Sequence, residues 1–289
     1  DAVSPIKVER VVARIDAPKN ESTKVLAEYP KNASEALKVA IDDAKDKVAN
    51  IELVDYAVAN LANQSYVMQT WSENQLSLPA NTAYTQKATD FGTKYYYKDN
   101  EFFNNNTVNY VFENNSSENP TTMYFEYKVT LKNEKFEGDA DFKNDATNAG
   151  TFYRYNKVIY SRIQDIIDAY KDQKAIFNGQ TKDAVVDELK AAKNDATDPE
   201  AKLDEFRKKY DIEVFNAGKT YYVQKIKDQY LGVANTIQRN SIYLLNVKNI
   251  FNVGAQVPNG GPDDRTLYYL DVEVSVNPWV LNNQDVDLK

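Results

Sequence analysis

Strict alternation of apolar and polar residues near the carboxyl end is the feature that most limits how this chain folds. Successive side chains of a β-strand point to opposite faces, so a two-residue period predicts a strand with one apolar and one polar face. The clearest such segment runs from Leu270 to Val276, and a second runs from Met123 to Leu131. With the alternating segment 108–112 and the turn-forming residues 114–120, the second segment predicts an antiparallel hairpin with one buried and one solvated face.

Further strands are predicted near both ends of the sequence. The segment from Ile6 to Ile15 is rich in β-branched residues, and the change of parity between Val8 and Val11 predicts one bulge. Residues 212–215 and 220–223 flank a four-residue loop, which predicts a second hairpin. Another strand is predicted over residues 243–251 because apolar residues alternate there as well.

Helical insertions are predicted near 32–64 and 156–211. Asn32 and Glu35 have the spacing of a capping box, and apolar residues then recur at three- and four-residue steps as far as Leu61. Such a stripe suits a partner helix, but packing on the protein's own sheet is the favoured interpretation. We expect this helix on the outside or at the edge of the sheets.

The second insertion contains its own helix-start signals. Thr181 is a predicted N-cap, and Pro199 after Asp198 occupies the first position of a further helix. No internal repeat and no clear linker divides the chain. We therefore predict that residues 1–289 form a single, mainly β domain, an antiparallel β-sandwich with inserted α-helices and α+β by content.

The amino-acid composition limits the kinds of active site and binding site that this chain can form. The 289 residues include no cysteine and no histidine, which removes thiolate nucleophiles, Cys-ligated metals and the commonest general base. The formal net charge of −8 argues against a nucleic-acid partner. No apolar run reaches the length of a transmembrane helix, and residues 1–12 lack the pattern of a signal peptide. We predict no enzymatic activity, no catalytic residues and no cofactor or metal.

Three weaker site patterns each have a competing structural interpretation. An acidic run resembles a calcium loop but has Lys143 at the expected fifth position, so a solvated turn is favoured; it comprises Asp139, Asp141, Asn144 and Asp145. The tyrosines of 95–97 and 221–222 suit a glycan-binding surface, although strand packing is favoured. Six N-x-S/T sequons are interpreted as incidental, at Asn20, Asn32, Asn63, Asn105, Asn114 and Asn115.

The last quarter of the sequence resembles the fimbrillin family, the subunits of type V pili. The residues that carry this resemblance are Arg239-Asn240-Ser241-Ile242-Tyr243, Val247, Ile250, Gly254, the strand from Tyr269 to Val276, Trp279, and Gln284-Asp285-Val286-Asp287-Leu288. Lys7 to Ile15 is similar to the opening strand of a fimbrillin sandwich. The resemblance implies transthyretin-like β-sandwich domains, export as a lipoprotein, removal of a first strand by an Arg-specific protease, and assembly by strand exchange. It also implies that this chain is mainly a C-terminal domain.

A structural subunit of a bacterial surface fimbria, supporting adhesion, is therefore the predicted function, with identical or related fimbrial subunits and a host or bacterial surface receptor as partners. The expected location is the cell surface, reached through a precursor attached at the outer membrane. Residues 277–289 are the predicted assembly strand, with its interface at Trp279, Val280, Leu281, Val286 and Leu288. The alternatives are a frayed or self-paired tail, and a non-polymerising adhesin or glycan-binding module.

Overall fold

A computed structural model describes residues 10–21, 29–73, 75–88, 108–132, 150–172, 174–228, 236–258 and 270–278. The strands in these residues are β1 (Ala13–Ile15), β2 (Lys19–Asn20), β3 (Val48–Ala59), β4 (Leu61–Ala62), β5 (Trp71–Ser72), β6 (Gln75–Leu76), β7 (Tyr84–Thr85), β8 (Asn109–Val111), β9 (Thr122–Leu131), β10 (Phe152–Tyr155), β11 (Val158–Tyr160), β12 (Glu213–Phe215), β13 (Lys219–Lys225), β14 (Ser241–Ile250) and β15 (Leu270–Pro278). The α-helices are α1 (Glu35–Lys47), α2 (Ile163–Ala169), α3 (Lys182–Lys193) and α4 (Pro199–Tyr210). Short 3-10 helices lie at Lys174–Phe177 and Asn216–Gly218.

Two sheets form the main body. The terminal sheet has the order β15-β14-β1-β8, and β2 continues beside β14 after β1 ends. Within it β1 runs parallel to β14, whereas β14 pairs with β15 and β1 pairs with β8 in antiparallel fashion. The central sheet has the order β13-β9-β3 and is antiparallel throughout. Strands from the start and the end of the described chain thus lie side by side in one sheet.

The two sheets face each other across one apolar core. The terminal sheet contributes buried residues such as Ile15, Tyr243 and Leu245, and the central sheet contributes residues such as Ile51 and Phe125. This arrangement confirms the predicted mainly β sandwich with added helices. The closing strand and the last part of the opening segment both belong to the sandwich, as predicted, but the opening strand is shorter than predicted: β1 spans only Ala13–Ile15, residues 10–12 are not in a strand, and residues 1–9 are outside the described ranges.

The helical region forms a second core. Strands β11-β10-β12 make a small antiparallel sheet, and α2, α3 and α4 pack on one of its faces around Leu189, Leu203 and Phe206. On the other face, Phe152 and Phe215 stack with ring centroids 4.5 Å apart and join the sandwich core. The small sheet is therefore buried on both faces. The predicted N-caps are confirmed: the Thr181 and Asp198 side chains accept the backbone N–H groups of Ala184 and Ala201.

The first predicted helix is wrong beyond Lys47. Helix α1 ends there, and Val48–Ala59 form β3, which pairs with β9 along its length. The apolar positions of this stretch fit both periods, but its β-branched residues favour a strand over a helix. The predicted capping box is also wrong, because Ser34, not Asn32, accepts the backbone N–H of Leu37. The placement of α1 beside β11 and the start of β3, at an edge of the sheets, agrees with the prediction.

Both predicted hairpins are wrong. Strand β8 pairs with β1 in the terminal sheet, whereas β9 lies in the central sheet, so the segment between them crosses from one sheet to the other. Likewise β12 belongs to the small sheet and β13 to the central sheet. The first half of β9 is buried on both faces, since Tyr124 packs with Ala57, Ala59 and Ala88 outside the sandwich core. The turn-forming residues suggested that strands adjacent in sequence pair with each other. In the structure these strands pair instead with strands that are distant in sequence.

Candidate functional site: the end of the sandwich where the tail leaves

Strand β15 is the edge strand that leads to the predicted assembly tail. It pairs with β14 from Leu270 opposite Ile250 to Pro278 opposite Ser241. Val276 is buried and Val272 and Val274 pack partly buried against the core, while Glu273 is exposed, as the alternation predicts. Among the described strands, β15 has no other partner. The predicted assembly residues lie outside the described residues: Trp279, Val280, Leu281, Val286 and Leu288.

Four strand termini meet at the end of the sandwich where β15 stops, here called the exit end. Strands β15 and β8 end there, while β14 and β1 begin there, as the registers of the three pairs show. The backbone N–H of Asn240 donates to the Val12 carbonyl at 3.1 Å. The backbone groups of Asn114 and Ile237 exchange two hydrogen bonds at 3.1 and 2.7 Å. The polypeptide entering β14 is thus fixed on both sides.

A buried ion pair closes the exit end. The Arg239 guanidinium lies 2.8 Å from the Glu113 carboxylate, and both side chains are almost fully buried, at 1% and 2% exposure. Arg239 also donates to the backbone carbonyls of Tyr66 at 2.6 Å and Val67 at 2.8 Å, while Glu113 accepts from the Gln69 amide at 2.5 Å. Breaking one member of such a pair leaves an uncompensated buried charge, which costs about 3–5 kcal/mol. These contacts hold residues 65–71, the apolar loop, against the sheet.

A shallow depression lies beside the residues that flank Arg239 and the last residues of β15. It has a volume of about 420 Å³ and is lined by Asp228, Gln238, Asn240, Ser241, Val276, Asn277 and Pro278. At its base the Tyr243 hydroxyl donates to the Asp228 carboxylate at 2.8 Å and accepts the Gln238 N–H at 2.8 Å. Burial raises the pKa of Tyr243, and the neighbouring Asp228 carboxylate raises it further. The phenol is therefore a permanent donor that orients Asp228.

The other candidates from the sequence fall in different places. Tyr221 and Tyr222 are buried in β13, where their hydroxyls donate to Glu126 and to the Asn252 carbonyl, so they do not line a glycan surface. The sequon residue Asn114 is fully buried, and its amide is used within the fold. The acidic run 139–145, the tyrosines 95–97 and Asn105 lie outside the described residues. Within the described ranges, no cluster of three or more acidic residues is arranged to hold a metal, and no helix is long and apolar enough to cross a membrane.

The sequence did not reveal the apolar loop or its attachment. Tyr66, Val67 and Met68 form a short apolar run without periodicity, and Glu113 is 126 residues from Arg239 in sequence. A local signal did exist, since three consecutive apolar residues outside any predicted strand or helix are unusual on a polar surface. The pairing of Arg239 with Glu113 has no local signal at all.

The residues that carry the fimbrillin resemblance have definite structural roles. Tyr243, Val247 and Ile250 are core residues of β14, and Arg239 closes the exit end. Gly254 lies where the chain forms a bridge to β13, and a Cβ atom there would collide with the Tyr221 carbonyl. These residues therefore specify the packing and attachment of β14 rather than a catalytic centre.

Part of the chain is similar to a known protein family. Residues 213–285 match the family model described as the major fimbrial subunit protein type IV, fimbrillin, C-terminal. Similar solved structures include a fimbrilin from Porphyromonas gingivalis, 18% identical with a TM-score of 0.43, in which 96% of this chain covers 60% of that chain. Another is a candidate cell adhesion protein from Parabacteroides distasonis, 12% identical with a TM-score of 0.37, in which 96% of this chain covers 54% of the other.

A search of curated protein sequences finds no match. The chain spans less than two thirds of the length of either solved structure. The family match covers β12 to β15, and so includes the strand pair β14–β15 and the ion-paired Arg239. By this match the last quarter of the chain, residues 213–285, is similar to the C-terminal part of fimbrillins.

Proposed function

We propose that this chain is a structural subunit of a bacterial surface fimbria that joins identical or related subunits by β-strand complementation. The observation that carries the proposal is the family match over 213–285, which includes the edge strand β15 and residues of the tail beyond it. An edge strand exposes a row of unpaired backbone donors and acceptors, and a segment that continues from it is well placed to pair with another sheet.

The C-terminal tail is the proposed donor strand. In an extended tail, Val286 and Leu288 point to one face, and Asp285, Asp287 and Lys289 point to the other. Burial of the two apolar side chains in a neighbour's groove would contribute about 1.5–3 kcal/mol each. Trp279-Val280-Leu281 would anchor the root of the tail.

The proposed role is structural and needs no cofactor. The sequence lacks histidine and cysteine. Among the described residues, two buried arginines are held in ion pairs within the fold. Arg154 is bound by Glu213 and by two backbone carbonyls, and Arg239 is bound by Glu113. We place the subunit at the cell surface in a fimbrium, after a precursor stage at the outer membrane. Binding of a surface receptor belongs to the same proposal.

The test is assembly of the full chain into fibres, followed by electron microscopy across a series of protein concentrations. The variant Val286→Asp with Leu288→Asp is expected to lose fibres while the monomer keeps its melting temperature, because two charges would enter an apolar groove. The control variant Asp285→Asn with Asp287→Asn changes the opposite face and is expected to assemble normally.

Fibres of normal length from the Val286→Asp, Leu288→Asp variant would show that the tail is not the donor strand. A wild-type chain that remains monomeric at every concentration would refute polymerisation. In that case a monomer that still binds cells or glycans would support the alternative, a non-polymerising adhesin.

A further inference from the structure

Exposed apolar side chains concentrate in the loop at the exit end and along strand β8, which leads to that end. In the part of the chain that the structure describes, six of the ten exposed large apolar residues lie in two short segments: Tyr66, Val67, Met68, Trp71, Val108 and Tyr110. Val67 is 83% exposed and Met68 is 77% exposed. Single exposed apolar residues are common, but a group of them marks an interaction surface.

Both segments converge on the same buried ion pair. The apolar loop is bound to Arg239 through its backbone carbonyls and to Glu113 through Gln69, and β8, which carries Tyr110, ends two residues before Glu113. The loop is further held where Ser77 N–H donates to the Thr70 carbonyl at 2.8 Å. A surface fixed in this way loses little conformational entropy when a partner binds. The structure thus holds apolar side chains in water on a rigid support.

The tail leaves the sandwich at the same end. Pro278 lies opposite Ser241, which follows Arg239 by two residues. Three strand spacings separate β15 from β8 across the sheet, which is about 14 Å. Even a fully extended chain places Val286 at most about 29 Å from Pro278. A subunit that receives the tail would therefore bind within about 29 Å of Pro278, a distance larger than the width of the sheet from β15 to β8.

We propose that the apolar loop is a second contact with the neighbouring subunit, a packing surface for the body of the copy of this chain that accepts the tail. The inference rests on the proposed polymerisation and adds an apolar contact between the folded bodies of two copies to the contact made by the tail. Each copy carries a net charge of −8, so copies repel one another at long range. Apolar side chains supply a contact that needs no opposite charge on the partner.

The absence of cysteine from the chain allows a direct test with a single introduced thiol. In the Met68→Cys variant, the rate of maleimide labelling is measured on monomers and on assembled fibres. Because Met68 becomes covered in the fibre, labelling is expected to slow by about tenfold or more. The matched control is Val39→Cys, at a 61% exposed position on α1, which packs beside β11 and leads into the start of β3, away from the exit end; its labelling rate is expected to stay the same.

The outcomes separate this inference from the function on which it rests. Fibres in which the introduced thiol at position 68 reacts as fast as in the monomer overturn the inference alone. Unaltered length of fibres from a Val67→Ser, Met68→Ser variant overturns it as well, whereas shorter or fewer fibres from a monomer of unchanged melting temperature support it. Reduced cell binding by these variants with normal fibres would make the loop a receptor surface, which also overturns the inference. A wild-type chain that never forms fibres refutes both proposals.

Discussion

The two ends of the sandwich are closed in different ways. At the helical end, the small sheet and helices α2–α4 cover the core, and the Arg154–Glu213 pair joins the small sheet to the carbonyls of Val253 and Gly254 after β14. At the exit end, one ion pair and a short loop close the core, and apolar side chains remain in water. In the described residues, the large apolar side chains of the helical core are buried within the chain, whereas Val67 and Met68 at the exit end remain exposed.

The ends also differ in the range of their contacts. The helical core is built from residues 153–214, so its contacts are local in sequence. The exit end joins Glu113 to Arg239, and Arg10 to Asn240, which are 126 and 230 residues apart. Local contacts can form and break independently, whereas long-range contacts report on the whole fold. The following three variants test this difference, in order of decreasing effect on stability.

The largest effect is expected from Arg239→Ala. Removing the guanidinium leaves Glu113 buried without its counter-charge, and the free energy of unfolding should fall by about 3–5 kcal/mol. Urea unfolding followed by tyrosine fluorescence and circular dichroism measures this change. The double variant Arg239→Met with Glu113→Leu should recover most of the loss. If Arg239→Ala unfolds at the wild-type urea concentration, the ion pair does not close the exit end.

A smaller and more local effect is expected from Leu189→Ala. This residue is fully buried between the helices, and its truncation should cost about 2–4 kcal/mol through lost burial and a cavity. Native-state hydrogen exchange should show lower protection in α2, α3 and α4, with little change in β9 and β14. An equal loss of protection in all of these elements would show that the helical region and the sandwich unfold as one unit.

The smallest effect is expected from Thr181→Ala at the start of α3. Loss of the side-chain acceptor for the Ala184 N–H should cost about 1 kcal/mol. The Thr181→Ser variant retains the hydroxyl and should remain close to wild type. Exchange of the amides in the first turn of α3 measures the difference. Equal exchange in both variants would mean that the cap adds nothing to this helix.

Sequence patterns predicted the positions of strands and helices better than they predicted which strands pair. The strand at 270–276, the caps at Thr181 and Asp198 and the core side of β14 were predictable because each depends on neighbouring residues. The switch from α1 to β3 was not, since the apolar residues between Leu37 and Leu61 fit a helix face as well as a strand. Only the pairing of β3 with β9 decides between the two.

The assembly tail stays a prediction from the sequence, because residues 279–289 lie outside the described residues. The surface beside Pro278 could not be predicted, because it depends on Glu113 meeting Arg239, which no local pattern encodes. The two failed hairpins have the same cause, because adjacent strands joined different sheets. Turn-forming residues mark where a strand ends but not where the following strand goes.

The position of β1 beside β14 has a consequence for the order of folding. Arg10 bonds to Asn240 and β1 pairs with β14, so the early strand has no native parallel neighbour until residues 230 positions later are available. Residues 150–215 contain a core of their own, whose contacts close much shorter loops. We expect the helical region to acquire structure first and the terminal sheet to close last.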